Sequence, residues 1–289
     1  MRPLLNTTGE TVGLEAYKEM KTRIITAAVC VPVLLVVLLA LPTWATAWLF
    51  AAMSAIACYE LLHRTELVTH LRLVIYSCVS AFAIPLLGHY NIPAGWSVLV
   101  FVVYIVLLFS EIMLSHTTVE FDKISMCAFG GIVIPYALGA IVRILDMKMG
   151  QYLVLIPFVL AFLPDSGAYF AGRFFGKHKL APVISPKKTV EGAIGALITG
   201  VVCMVLYMRI VDLAFHVELS FFAGLLYGLL GSAGAIFGDL CFSVVKRQAG
   251  IKDYGTILPG HGGILDRFDS MIIVAPLTEA LLDIIPIIG

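Results

Sequence analysis

Long apolar stretches separated by short polar segments make up most of the chain. Nine stretches approach the length of about 20 residues that an α-helix needs to cross a bilayer. They are roughly 24–42, 44–62, 71–87, 94–114, 124–145, 151–172, 190–211, 219–245 and 268–288. The pattern predicts an all-α fold, a polytopic transmembrane helical bundle of about nine spans.

Composition supports a membrane protein over a soluble one. Hydrophobic residues make up 60% of the chain, charged residues 13%, and the mean hydropathy is +0.99. Soluble domains are about half apolar and about a quarter charged, so this chain has too little polar surface to face water. In lipid the difficulty disappears, because helices satisfy their own backbone hydrogen bonds. The formal net charge is zero, and no nucleic-acid partner is expected.

The positions of lysine and arginine predict the orientation. With the N-terminus inside, the cytoplasmic segments carry 16 of these residues and the opposite side carries three. Because cytoplasmic loops are enriched in Lys and Arg, we expect an N-in, C-out topology. The chain then divides into a polar cytoplasmic tail (1–23), N-terminal transmembrane helices (24–150) and a C-terminal transmembrane region (151–289). No cleavage pattern follows the first apolar run, so a signal peptide is not expected.

Three of the carboxylates within the apolar stretches stand out. A carboxylate inside a span costs about 2.5–3.5 kcal/mol on insertion scales, so each needs a partner or a function. Glu60 stands near the end of the second stretch, and we interpret it as a helix-end charge paired with Arg64 at i+4. Asp165 and Asp239 lie deeper and are candidates for function.

A row of glycines leads to Asp239 in the eighth stretch. The series is Gly224, Gly228, Gly231, Gly234 and Gly238. Its spacing keeps all of them on one helical face, which indicates close helix packing. Ser243 and Lys246 follow Asp239 at i+4 and i+7, so a carboxylate, a hydroxyl and an ammonium group share a face.

The densest polar segment runs from Lys246 to Ser270. Its charged residues are Lys246, Arg247, Lys252, Asp253, His261, Asp266, Arg267 and Asp269. Carboxylates bind hard cations such as Mg²⁺, whereas basic side chains and glycine amides bind phosphate oxygens. Asp266 and Asp269 share a face if a helix begins there. The segment predicts a metal-plus-phosphate site, with a salt-bridged structural loop as the alternative.

A second basic segment, Ser185-Pro186-Lys187-Lys188-Thr189, precedes the seventh stretch. Either Ser185 or Thr189 would cap a helix that begins here. The same helix N-terminus would favour an anion, so the structural and functional interpretations are compatible. No Walker A loop, GxSxG, HExxH or Rossmann motif appears, and the paired aspartate-rich clusters of membrane prenyltransferases are missing.

The segment SVVKRQAGIKDYGTILPGHGGILDRFD (Ser243 to Asp269) resembles the signature of the phosphatidate cytidylyltransferase family, the CDP-diacylglycerol synthases of membranes. PDSGAY (Pro164 to Tyr169) and SPKKTVEG (Ser185 to Gly192) are similar to two further segments of that family, with Pro164 in place of an alanine. Together the three motifs cover roughly 151–270. Residues 1–150 resemble the family only in being apolar and multi-spanning.

The resemblance implies transfer of CMP from CTP to phosphatidic acid, giving CDP-diacylglycerol and pyrophosphate for phospholipid synthesis. It also implies Mg²⁺, a second cation beside it, a homodimer, and an active site on the cytoplasmic face of a bacterial-type inner membrane. Two alternatives stay open. A CTP-dependent lipid kinase would need the same groups but would make a product without cytidine. A transporter is disfavoured because the sequence shows no internal repeat.

Residue roles follow from the resemblance as hypotheses. The expected metal ligands are Asp239, Asp266, Asp269 and Asp165, and the expected catalytic set is Asp239, Asp266, Lys246, Arg267 and His261. The expected substrate-binding residues are Ser185, Lys187, Lys188, Thr189, Ser243, Arg247, Lys252, Asp253, Gly262 and Gly263. A phosphate nucleophile is already ionised near neutral pH, so His261 is expected to donate to a phosphate oxygen rather than to act as a general base.

Overall fold

The computed structural model describes residues 7–90, 92–115, 119–216 and 219–287, with side chains from residue 20 onward. Its helices are α1 (Thr7–Leu39), α2 (Thr43–Tyr59), α3 (Leu71–His89), α4 (Ala94–Leu114), α5 (Phe121–Ala128), α6 (Ile134–Asp146), α7 (Gly150–Leu153), α8 (Ile156–Phe175), α9 (Val190–Phe215), α10 (Phe221–Gln248), α11 (Ile264–Phe268) and α12 (Met271–Ile284). Two π-helical turns, Glu60–Arg64 and Phe129–Val133, continue α2 and α5. Strands β1 (Lys179–Ala181) and β2 (Ser185–Thr189) form an antiparallel hairpin between α8 and α9.

Eight helical segments of the described chain are long and apolar enough to cross a membrane. They are Met20–Leu39, Thr43–Arg64, Leu71–His89, Ala94–Leu114, Phe121–Asp146, Gly150–Phe175, Val190–Phe215 and Phe221–Gln248. They match the first eight predicted stretches, and the all-α polytopic bundle is confirmed. The last stretch, 268–288, forms α12, which has 14 residues. At about 21 Å it is shorter than the hydrocarbon core of about 30 Å.

Helix α1 starts earlier than its apolar stretch predicted. It begins at Thr7 instead of near residue 24, so most of the predicted polar tail continues the first span as helix. Arg2, one of the charges used for the orientation, lies outside the described residues. From Met20 to Leu39 only 6% of the span is buried within the protein, which leaves its apolar side chains for lipid.

The helices pack in two groups that α12 joins. Helices α2, α3 and α6 contact one another, and α8, α9 and α10 form the second group. Helix α12 packs against α6 as well as against α8 and α10. Across this junction Arg143 donates to Glu279, with Nε at 2.6 Å and Nη2 at 2.7 Å from the carboxylate oxygens.

The glycines of α10 allow close packing, as predicted, but against three helices. An added Cβ on Gly228 would lie 2.6 Å from the Cα atom of Val201 on α9. At Gly231 the neighbour is Leu160 on α8, and at Gly238 it is the backbone just before α12. The glycine face therefore contacts several helices instead of one, because a helix of 28 residues passes different neighbours along its length.

Gly238→Ala is expected to destabilise the protein, because the methyl group would lie 2.9 Å from the Cα atom of Ser270 and would push the link between α11 and α12 away from α10. Overpacking of this kind costs about 1–3 kcal/mol, which should appear as a lower midpoint of thermal unfolding in detergent. Gly95→Ala is the matched control, since its Cβ meets nothing within 4 Å. Equal midpoints for the two variants would contradict the close approach.

Candidate active site

The β-hairpin positions the SPKKT segment at the start of α9. Strand pairing sets Lys179 opposite Thr189 and Ala181 opposite Ser185. Thr189 is the N-cap of α9, and its Oγ1 accepts a hydrogen bond of 3.1 Å from the Gly192 amide. The predicted cap is therefore confirmed at Thr189, whereas Ser185 lies within β2.

Asp239 is held from two directions. The Lys188 ammonium group lies 2.5 Å from its Oδ2 atom, and the Ser243 hydroxyl donates to Oδ1 at 3.2 Å. The side chains of Lys188 and Asp239 are 26% and 30% exposed, so solvent reaches both. The hairpin thus brings Lys188 next to Asp239 and Ser243, which the sequence predicted to share one face of α10.

Lys246 lies about two turns beyond Asp239 on α10, between two other carboxylates. Its Nζ atom is 3.1 Å from Asp266 Oδ1 and 3.7 Å from Asp269 Oδ2, and it lies 5.3 Å from the ring centroid of Tyr254. The Lys246 side chain is 12% exposed. Ion pairs this buried need further hydrogen bonds to offset the loss of hydration.

Backbone amides supply those hydrogen bonds to Asp266. Its Oδ2 atom accepts from the amides of Tyr254 at 2.8 Å and Gly263 at 2.9 Å. Gly262 adopts a φ of +89°, and an added Cβ there would lie 2.8 Å from the same oxygen. This backbone conformation suits glycine alone. Helix α11 begins directly afterwards, which was the condition for Asp266 and Asp269 to share a face.

The two remaining predicted metal ligands are Asp269 and Asp165. Burial, followed by the negative charge of Asp239, raises the pKa of Asp269 above that of an ordinary aspartate. Asp165 on α8 is exposed at the surface of a cavity. Within the described residues, no three His, Cys, Asp or Glu side chains are arranged to hold a metal ion. The four predicted ligands are therefore not assembled as a metal cluster, and ammonium groups stand beside three of them.

A cavity of about 1010 Å³ lies beside residues 252–262, and we refer to it as the large cavity. The basic side chains in its lining are Arg23, Arg64, Lys252, His261 and Arg267, and Asp253 and Gly262 also line it. Arg267 donates through Nε to the His261 carbonyl at 2.8 Å. The Nδ1 atom of His261 is buried and has no partner in the part of the chain that the structure describes. Such a surface suits phosphate oxygens.

A smaller cavity, of about 370 Å³, lies between α8, α9, α10 and the hairpin. The predicted site residues in its lining are Asp165, Lys187, Lys188 and Thr189. Tyr169 and Arg173 also line it, and the Arg173 guanidinium donates to the Tyr169 hydroxyl at 2.7 Å. The rest of the lining is glycine, alanine, leucine and isoleucine. This small cavity therefore combines cations with apolar walls.

Some residues of the predicted substrate-binding set line neither cavity. Arg247 donates to the carbonyls of Ile184 at 3.2 Å and Ile251 at 3.4 Å, so it ties the hairpin to the segment after α10. Ser185 is paired within the hairpin. Conversely, Arg23 and Arg64 were not among the predicted site residues, yet they line the large cavity.

Glu60 departs from its predicted role. It is 1% exposed, and no ion pair with Arg64 occurs among the described residues. Instead its carboxylate accepts from the amides of Ile264 and Leu265, while Arg64 donates to Thr256 at 3.4 Å. The prediction assumed α-helical spacing, but Glu60–Arg64 is π-helical, and the wider turn moves i and i+4 out of line. The free-energy cost of a carboxylate inside a membrane indicated that Glu60 needs a partner, but not which one.

Residues 21–285 match the model of the cytidylyltransferase family. Similar curated proteins include phosphatidate cytidylyltransferases of Staphylococcus haemolyticus, Staphylococcus saprophyticus and Staphylococcus aureus strain COL, which are 40%, 42% and 40% identical over 176 residues. In each case the match covers 60% of this chain and 66% of the relative. The chain thus spans just under two thirds of the length of these relatives.

Proposed function

The chain belongs to the cytidylyltransferase family, and on that premise we propose that it is a membrane phosphatidate cytidylyltransferase. It transfers CMP from CTP to phosphatidic acid and releases pyrophosphate. The single observation that carries the proposal is the arrangement of residues 243–269, in which Lys246 pairs with Asp266 while the neighbouring Arg267 lines a cation-rich cavity. The names of the similar proteins agree with it.

The reaction needs positioning and charge neutralisation more than acid–base chemistry. A phosphate oxygen of phosphatidate forms a bond to the α-phosphorus of CTP, the bond from that phosphorus to the bridging oxygen breaks, and pyrophosphate leaves with the electron pair. The nucleophile is already ionised, so no general base is required. Cations held in place lower the barrier by stabilising the charge on the transferring and leaving groups.

The two cavities suit two different substrates. We assign the triphosphate of CTP to the large cavity, because Lys252, Arg267 and Arg64 line it and its volume is about 1010 Å³. We assign the phosphatidate headgroup to the small cavity, where Arg173 and Lys187 accompany apolar walls. Exposed phenylalanines at the end of α8 continue the apolar surface towards lipid.

The donor set fits Mg²⁺ of the kind that nucleotide enzymes use. Mg²⁺ takes one or two protein carboxylates and completes its shell with water and phosphate oxygens, so a cluster of three protein ligands is not required. Asp239 offers a carboxylate that solvent reaches, and Asp165 and Asp269 are the candidates for a further carboxylate ligand. The ion would neutralise charge on the phosphates. Asp266 serves as a further ligand or orients Lys246. A second cation and a homodimer belong to the same proposal.

Orientation also belongs to the proposal. The N-in topology assigns Arg23, Arg64, Lys252 and Arg267 to the cytoplasmic side, and all four line the large cavity. Arg143 and Lys148, assigned to the opposite side, line other cavities. The clustering supports an active site that opens to the cytoplasm of a bacterial-type cell, where CTP is available.

We expect purified protein given Mg²⁺, phosphatidic acid and CTP labelled in both cytosine and the γ-phosphate to move the cytosine label into lipid. The γ-label should appear in pyrophosphate. γ-Label in lipid without cytosine would instead indicate a lipid kinase. If neither label moved with folded protein and several lipid acceptors, the enzyme proposal would be abandoned and transport would be tested.

A further inference from the structure

The π-helical turn at the end of α2 contacts the segment after α10. Glu60 Oε1 accepts a hydrogen bond of 3.1 Å from the Ile264 amide, and Oε2 accepts one of 2.8 Å from the Leu265 amide. Amides in the first turn of a helix have no partner within that helix. A carboxylate from the N-terminal half of the chain therefore satisfies the first amides of α11, which carries Asp266 and Arg267.

The chain around Glu60 is shaped to admit this carboxylate. Gly255 and Gly263 both face it, and a Cβ on either would collide with the carboxylate oxygens. The contact also extends beyond one residue, since Arg64 at the other end of the π-helical turn donates to Thr256. The π-helical turn and residues 255–265 thus fit together as a pair of surfaces.

This arrangement differs from ordinary core packing in its energetics. Burial of a carboxylate costs free energy that only well-made hydrogen bonds offset, and here two charge-assisted bonds to amides supply them. An apolar residue would fill the same space without that cost. The carboxylate does, however, fix the direction of the two amides, and with them the direction of α11.

We propose that Glu60 is a positioning residue for the transfer reaction. It holds α11 so that Asp266 stays within reach of Lys246 and Arg267 stays in the wall of the large cavity. Glu60 itself lines neither cavity, so it acts through α11. The inference rests on the proposed function and extends the site to the helices before residue 150.

Glu60→Gln tests the proposal, because the glutamine oxygen accepts from one amide while its NH₂ group opposes the other. Losses of this indirect kind typically reach about 10–100-fold, and we expect a fall of that size in kcat. The KM for phosphatidate should stay unchanged, since the small cavity is lined by α8, α9, α10 and the hairpin. Assays should be normalised to folded protein by size-exclusion chromatography.

Glu279→Gln is the matched control. Like Glu60, Glu279 is a membrane carboxylate that accepts two hydrogen bonds. It is only partly buried, and it pairs with Arg143 across α6 and α12. We expect this variant to lose thermal stability and to keep its kcat. An equal fall in kcat for both variants would overturn the proposal, because it would make the effect a general consequence of destabilisation.

Hydrogen exchange gives a readout that does not depend on activity. Amides 264 and 265 should exchange faster in Glu60→Gln than in the wild type, whereas in Glu279→Gln they should stay protected. Unchanged protection would overturn the inference even if the protein is a cytidylyltransferase. Inactive wild-type protein with the expected exchange pattern would instead contradict the proposed function. If Glu60→Gln does not fold, Glu60→Asp, which keeps the charge but is shorter by one methylene, serves for both measurements.

Discussion

Replacement of Asp239 by asparagine is expected to lower kcat at least about 100-fold, or about 2.7 kcal/mol in the barrier, and to leave the protein folded. Asparagine keeps the shape of the side chain and can still accept from Ser243. It removes the charge that pairs with Lys188 and that the proposed Mg²⁺ requires. Because the Asp239 side chain is 30% exposed, loss of its ion pair should cost little stability.

The matched control for this variant is Asp212→Asn. Asp212 pairs with Arg209 at 3.4 Å on the exposed surface of α9, and its neutralisation should leave kcat unchanged. Both variants should be assayed over a range of Mg²⁺ concentrations, with folding checked by thermal unfolding in detergent. Near-normal activity of Asp239→Asn at all Mg²⁺ concentrations would remove Asp239 from the metal-binding role.

The parts of the fold that the sequence predicted are those controlled by local constraints. A span must be about 20 residues long and must satisfy its own backbone, so apolar length alone located the eight candidate spans. Helical periodicity placed Asp239, Ser243 and Lys246 on one face. The hydrogen bond from Ser243 to Asp239 confirms that these two residues share it. The cap at Thr189 is equally local.

Long-range contacts and irregular helices account for what the sequence did not predict. Glu60 and Ile264 are separated by 204 positions, and no periodicity links residues so far apart. The π-helical turn also invalidated the i+4 rule that had paired Glu60 with Arg64. Arg23 was counted by sign alone, although the structure places it in the large cavity. Helix α12 runs only from Met271 to Ile284, so it is shorter at both ends than the apolar stretch 268–288 that length alone predicted.

Asp266→Asn is expected to lower both stability and activity, in contrast to Asp239→Asn. The Asp266 side chain is 2% exposed, with two amides on Oδ2 and Lys246 on Oδ1. The NH₂ group of asparagine would have to face either the amides or the ammonium group, and each of these is itself a donor. Removal of one partner from a buried pair costs about 3–5 kcal/mol. We expect the lower end of this range, because Asp269 remains 3.7 Å from Lys246.

The fall in kcat should again be at least about 100-fold, and its cause can be separated from unfolding. Thermal unfolding in detergent gives the midpoint for the variant, and kcat is then measured well below that midpoint. Asp269→Asn is the comparison, because it removes only the longer contact to Lys246 and should destabilise less. If Asp266→Asn were unstable but fully active below its midpoint, Asp266 would be a helix cap alone. A loss of kcat that persists in folded protein places the Asp266 carboxylate in the reaction.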